Sequence, residues 1–136
     1  MDRPRLLFVC TGNSARSQMA EGFAKARGIQ AQSAGLEPSR VHPLATRVMS
    51  EKGIDISSHT SKPLSEELVK EADVIITLCG DAAERCPILP PGVRAFQWPL
   101  PDPVKATGSE AEVLETFRHV RDQIEDLLRQ FLQQSA

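Results

Sequence analysis

The chain has 136 residues, 40% of them hydrophobic and 25% charged, and a formal net charge of −2. That size suits one globular domain, spanning residues 1–136, that buries about two thirds of its unfolded surface. The charge balance excludes the concentrated basic face that nucleic acid or an anionic membrane would require, so any anion site must be local.

Leu6 to Cys10 opens the pattern as a buried strand from about Arg5, too short for a signal-peptide core or a membrane span. A cytoplasmic protein with reduced thiols is therefore expected. From about Ala15 the spacing of Met19, Ala20, Phe23 and Ala26 is helical, and Gly28 follows as a left-handed cap. Ile29 to Ala34 alternates weakly as a second strand. Pro43 to Lys52 is helical with proline in the first turn, and Ser65 caps a short helix to Ala72. DVIITL, Asp73 to Leu78, is rich in β-branched residues and reads as a strand buried on both faces. Arg94 to Trp98 is a shorter strand that Pro99, Pro101 and Pro103 are expected to end.

The last helix opens with Ser109 and Glu112 in capping-box spacing and aligns Val113, Phe117, Val120, Ile124, Leu127, Leu128 and Phe131. Alternating strands and helices predict an α/β fold with a small parallel sheet and helices on both faces. Ligands in such folds sit beyond the carboxyl ends of the strands.

That end of the first strand carries Cys10 and then only Thr11, Gly12, Asn13, Ser14 and Ala15 before Arg16. Small residues let successive N–H groups turn inward as a concave anion cradle, and the following helix adds its positive dipole end. Arg16 supplies a planar fork that matches two oxygens of a tetrahedral oxyanion. A cysteine in that field loses its proton readily, and Ser17 can donate a further hydrogen bond to the sulfur. The outcome is an activated nucleophile facing a phosphate-shaped site. A buried cysteine at a glycine turn with a surface arginine is the plainer reading, and the strand–loop–helix placement weighs against it.

VCTGNSARSQMAEG resembles the phosphate-binding loop of the low-molecular-weight protein tyrosine phosphatases, which carries C-x5-R. The likeness continues through SAGLEP, GIDISSHTSK, DVIITLCGDAAERCPILPP and the pair Asp102 and Pro103. Taken together these stretches resemble the thioredoxin-coupled arsenate reductases, which use the phosphatase fold. The resemblance implies a four-stranded parallel sheet flanked by helices on both faces.

It also implies roles. Cys10 attacks arsenate while Asp102 protonates the departing oxygen, and Arg16 and the loop hold the adduct. Cys79 then attacks Cys10, arsenite leaves, and Cys86 draws the disulfide to Cys79 and Cys86, where thioredoxin reduces it. Phosphate is expected to bind as an analogue of arsenate, with weak phosphatase turnover. No cofactor is expected, and a monomer is. Seven residues of helix would separate Cys79 from Cys86 by about 10 Å, whereas a disulfide needs Cα atoms within about 7 Å. If GDAAER is helical when reduced, it must loop out on oxidation.

Three alternatives compete. A low-molecular-weight protein tyrosine phosphatase would leave Cys79 and Cys86 without use, and the chain has no tyrosine and only 4% aromatic residues to line a phenyl pocket. An anion-binding or phosphocarrier module would make Arg16 and Asp102 superfluous. A zinc site lacks paired-ligand spacing, since six residues lie between Cys79 and Cys86 and His42, His59 and His119 are scattered, so no metal is predicted. Asp102 before proline also suits a plain turn.

Around the loop, Asn13 is suited to a left-handed backbone conformation, with Ser33 and Glu21 as braces. Some members of the family bind potassium here with an acidic residue after the HTS segment. This chain has Lys62 there, whose ammonium is expected to fill the cation's place, and Ala15 where some relatives carry an extra cysteine. His59 is read as a packing residue or a support behind the loop rather than a catalyst, because a thiolate mechanism needs no imidazole.

Overall fold

LLFVC and VIITLC contain almost no polar side chain, and both are buried at every residue because they form the two central strands of the sheet. The computed structural model describes residues 4–80 and 89–134. Its strands β1 (Leu6–Cys10), β2 (Ala31–Gly35), β3 (Val74–Cys79) and β4 (Ala95–Leu100) are parallel, in the order β2-β1-β3-β4. The four-stranded sheet with helices on both faces matches the expected class.

The second strand starts and ends later than its weak alternation suggested, at Ala31 and Gly35. The larger correction concerns Pro99, which lies inside β4 rather than ending the strand before it. Two features make room for it. β4 is a sheet edge, and its register slips: Thr77 pairs with Gln97 but Cys79 with Leu100, so one extra β4 residue is accommodated as a bulge. A residue lacking an N–H is tolerated at such a place.

The helices are α1 (Arg16–Ala26), α2 (Pro43–Ser50), α3 (Glu66–Glu71) and α4 (Glu110–Gln134). The starts of α2, α3 and α4 are capped by side chains. The His42 ring accepts from Leu44 N–H ahead of Pro43, and Ser65 Oγ accepts from Leu68 N–H at 3.2 Å. At α4 the capping box is complete, with Glu112 N–H donating to Ser109 Oγ at 3.2 Å and Ser109 N–H to Glu112 Oε1 at 3.1 Å. Gly28, just beyond α1, has φ +74°, the left-handed cap its position predicted.

One face of the sheet is covered by α1, α2 and α4, whose Met19, Phe23, Val48, Phe117, Val120 and Ile124 join Phe8 and Ile76 in the main core. The stripe along α4 differs at its margins from the sequence reading. Leu114 is buried, while Val113 and Leu127 are only partly so. Arg121 is also buried on that face, donating to Val48 O at 2.9 Å and to Glu51 at 2.7 Å. α3 lies on the other face, packing Leu68 and Val69 over Leu7, Val9 and Ile75. No helix among the described residues is long and apolar enough to cross a membrane.

The chain passes from β1 outward to β2 and returns across β1 to β3, so the strand order changes direction at β1. The crevice formed there, beyond the carboxyl ends of β1 and β3, is occupied by the loop from Thr11 to Ala15.

Candidate active site at the end of the first strand

Cys10 is the last residue of β1, 2% exposed, and a free thiol. Its sulfur lies 2.9 Å from Ser17 Oγ, and Asn13 Nδ2 donates to that same oxygen at 2.8 Å. Because the hydroxyl receives Asn13's hydrogen, its own hydrogen is available to the sulfur.

The loop is held by its carbonyl oxygens. Thr11 O accepts from Glu37 N–H at 2.8 Å, Gly12 O from Ser39 N–H and Ser61 Oγ at 3.2 Å each, and Ser14 O from His42 N–H at 3.0 Å. Asn13 O accepts from Gln18 Nε2 at 3.1 Å, and Ala15 O from Met19 N–H at 2.9 Å. Every carbonyl from Thr11 to Ala15 is thus engaged by a group on the loop's outer side or in the helix behind it. A peptide plane that turns its oxygen outward turns the following N–H inward, which is the orientation an oxyanion cradle needs.

Asn13 has φ +47°, the left-handed conformation expected of it, and Lys62 N–H fixes its Oδ1 at 2.9 Å. Gly35 is required beside it. A Cβ there would stand 2.7 Å from Thr11 O and 2.8 Å from Asn13 N.

Arg16 is 1% exposed, although it opens α1. Its Nη1 donates to Leu78 O at 3.1 Å and Leu100 O at 3.0 Å, so the ends of β3 and β4 aim the guanidinium across the site. Its Nη2 lies 3.6 Å from Asp102 Oδ2. Asp102 also accepts from Val104 N–H at 3.0 Å and so starts the short turn Pro103–Lys105. The plain turn reading of Asp102 is thus present, and the same carboxylate also lies beside Arg16.

Beneath the loop runs a buried polar chain that the sequence reading caught only in part. Gln18, fully buried, donates to Asn13 O and to Thr60 O at 3.0 Å, which leaves its Oε1 facing His59 Nδ1 at 3.0 Å. His59 Nδ1 must then carry a hydrogen, and its Nε2 lies 3.7 Å from Glu21 Oε2. Ser33 Oγ donates to Glu21 Oε1 at 2.6 Å. Ser33 and Glu21 do not touch Asn13; Ser33 holds the Glu21 carboxylate beside the His59 ring, which Gln18 links to the loop. Burial, above all, pushes the His59 pKa down; Glu21 opposes this, and Lys25 and Lys62 reinforce it.

The ammonium on Glu21 belongs to Lys25, at 2.6 Å. Lys25 is four residues beyond Glu21 on α1, a spacing that brings side chains together. Lys62 contributes its backbone N–H to Asn13. Gln18, Lys25 and the strap Glu37–Ser39–His42 escaped notice. Gln18 alone left a signal, as a polar residue on the apolar face of α1.

Cys79 is the last residue of β3 and is disulfide-bonded. Val9 pairs with Thr77, so Cys10 lies beside Leu78 and one residue short of Cys79. Strand spacing and rise put the Cα atoms of Cys10 and Cys79 about 6 Å apart. Cys86, with the helix expected over GDAAER, lies outside the described residues.

The chain matches the family described as low molecular weight phosphotyrosine protein phosphatase over residues 5–136. It is 45% identical over 134 residues to an arsenate reductase of Bacillus licheniformis, covering 96% of each chain. Among solved structures it resembles an arsenate reductase in the phosphate binding state, with TM-score 0.79 and 39% identity over 98% of this chain and all of that one. It also resembles a thioredoxin-dependent arsenate reductase of Corynebacterium glutamicum, with TM-score 0.71 and 29% identity over 99% of this chain and 64% of that one.

Proposed function

We propose, from the premise that the chain belongs to the low molecular weight phosphotyrosine protein phosphatase family and, within it, to the arsenate reductases, that it reduces arsenate to arsenite by a relay through Cys10, Cys79 and Cys86. The observation that carries this reading is the pairing of a free Cys10 at an oxyanion-shaped loop with a disulfide-bonded Cys79 on the adjacent strand end. A phosphatase needs only the first.

Arsenate enters the cradle of Thr11, Gly12, Asn13, Ser14, Ala15 and Ser17, with Arg16 matching two of its oxygens. The Cys10 thiolate, supported by Ser17, attacks arsenic, and Asp102 gives a proton to the oxygen that departs as water. Cys79 next attacks Cys10 sulfur. The sulfur–arsenic bond breaks, its electron pair stays on arsenic, and arsenite leaves behind a Cys10–Cys79 disulfide. A Cα separation of about 6 Å is within disulfide reach. Cys10, however, shares its face with Phe8 and Leu78 while alternation sends Cys79 to the face of Ile75, so the end of β3 must turn for that bond to form.

Cys86 then attacks Cys79 and returns Cys10 to its thiolate form. A dithiol reductant of the thioredoxin class takes the remaining disulfide, and two electrons have passed from that dithiol to arsenic. A free Cys10 beside an oxidised Cys79 is the state expected after this exchange.

The test follows oxidation of reduced thioredoxin in the presence of arsenate or phosphate. The native protein is expected to turn over repeatedly with arsenate alone, and Cys86→Ser to stop after a single arsenite per chain. Equal rates for both anions, or unimpaired turnover by Cys86→Ser, would remove the relay and leave an ester-cleaving enzyme.

A further inference from the structure

His42 takes no part in the chemistry above, yet three of its polar atoms are committed at the rim of the loop. Its N–H donates to Ser14 O at 3.0 Å, its carbonyl accepts from Thr46 N–H at 3.2 Å, and its Nδ1 accepts from Leu44 N–H at 3.1 Å. The ring lies on Phe117, with centroids 4.9 Å apart. A ring nitrogen that accepts bears no hydrogen, so this cap exists only in the neutral imidazole with its hydrogen on Nε2. The Ser14 carbonyl belongs to the same peptide as the Ala15 N–H, one of the groups turned toward the site.

We propose that His42 is a positioning residue for the oxyanion loop: its neutral ring, by capping α2, fixes the backbone that holds the Ser14–Ala15 peptide, and protonation of the ring loosens that hold. This rests on the reading of Thr11–Ser17 as an anion cradle.

The surroundings favour the neutral ring near pH 7. Burial does most to push the His42 pKa below its ordinary value, with Arg40 adding to the effect and Asp102 opposing it. These are the charges that bear on the ring, Arg40 from its own segment and Asp102 from across the site. α4 presents the uncharged Phe117, and the loop presents the Ser14 carbonyl. Below the titration range of His42 the Nδ1 gains a hydrogen, meets the Leu44 N–H donor to donor, and the cap is lost.

Sulfate is a suitable probe, since its charge is constant from pH 5.5 to 8 and it is not turned over. Its affinity is measured by calorimetry for the native protein, His42→Asn and His42→Ala. Asparagine caps a helix at any pH and alanine at none. The native protein and His42→Asn are expected to bind alike at pH 8, with the native protein falling behind as the pH drops through the titration of His42, by up to about five-fold, the factor a lost cap represents. His42→Ala is expected to be about five-fold weaker throughout.

Parallel curves for the native protein and His42→Asn would overturn the proposal even if His42→Ala failed to fold. Absence of sulfate binding in every variant would overturn the cradle reading together with it. Arsenate turnover by the native protein, assayed separately, tells the two failures apart.

Discussion

On one face of the sheet, α1, α2 and α4 bury a continuous core from Met19 and Phe23 through Ile76 to Ile124 and Phe131. On the other, the buried cluster among the described residues is Leu7, Val9, Ala34 and Ile75, and α3 above it contributes no fully buried side chain. Cys10 belongs to the deep core, and the loop that follows it leads into α1, which is buried from Arg16 to Ala24. The oxyanion cradle is thus anchored where local opening is most costly. Regions with few buried apolar contacts open at lower free energy than the whole, so the shallow face is the one expected to open first. A cradle must be preorganised, whereas a thiol relay must rearrange.

The strongest way to break this contrast is to truncate one side chain on each face. Ile124→Ala, at a site with no exposure, is expected to cost 2–5 kcal/mol, because the deep core cannot collapse around the cavity. Leu68→Ala on α3, where the side chain is only partly buried, is expected to cost about 1 kcal/mol. Urea unfolding of both variants decides it. Equal losses would mean that the two faces are one cooperative unit and that the shallow face holds no reserve of mobility.

A smaller effect is expected from Gly35→Ala, which tests the rigidity of the cradle itself. The added methyl would meet Thr11 O at 2.7 Å and Asn13 N at 2.8 Å, both backbone atoms that cannot swing aside. Overpacking of this kind costs about 1–3 kcal/mol. Here part of that cost falls on the loop, so sulfate affinity should drop about ten-fold, a shift of about 1.4 kcal/mol. Unchanged sulfate binding would show that the loop adjusts freely and that anchoring on the deep face does not set its shape.

The same contrast explains what could be read from the residues in order. β1, the loop and α1 were legible because each signal is local: an apolar run, a series of small residues, and a helical period. Cys10, Asn13, Arg16 and Ser17 do converge, and Asp102 joins them from the turn after β4. What stayed hidden depends on distant partners. The strap from Glu37 to His42 is a string of backbone donors, invisible in side-chain chemistry, that meets the loop only after β2 has paired with β1. Lys25 reaches Glu21 because both sit on one helix face, a pairing that matters to the site only once α1 has packed beneath the loop. Pro99 can lie within β4 because that strand is an edge whose register slips, and residue order declares neither.

The smallest effect lies at the outer rim of the deep face, where Glu51 after α2 meets α4. Arg118 donates to both Glu51 oxygens at 2.7 to 3.2 Å, and Arg121 adds a bond at 2.7 Å. The Arg118 hydrogen bonds, more than any other influence, hold the Glu51 pKa down to about 2 against an ordinary 4.5. A carboxylate lowered by folding contributes stability that is present above its unfolded pKa and is lost as the pH falls toward its folded one. The Tm of the native protein should therefore decline more steeply between pH 4.5 and about 2 than that of Glu51→Gln. The difference should shrink in high salt, because this clamp is partly open to solvent. Since it ties α2 to α4, amide exchange in α3 should be the same in both proteins at neutral pH. Faster exchange in α3 of Glu51→Gln would mean that the rim of one face stabilises the other, and that the two faces are not independent.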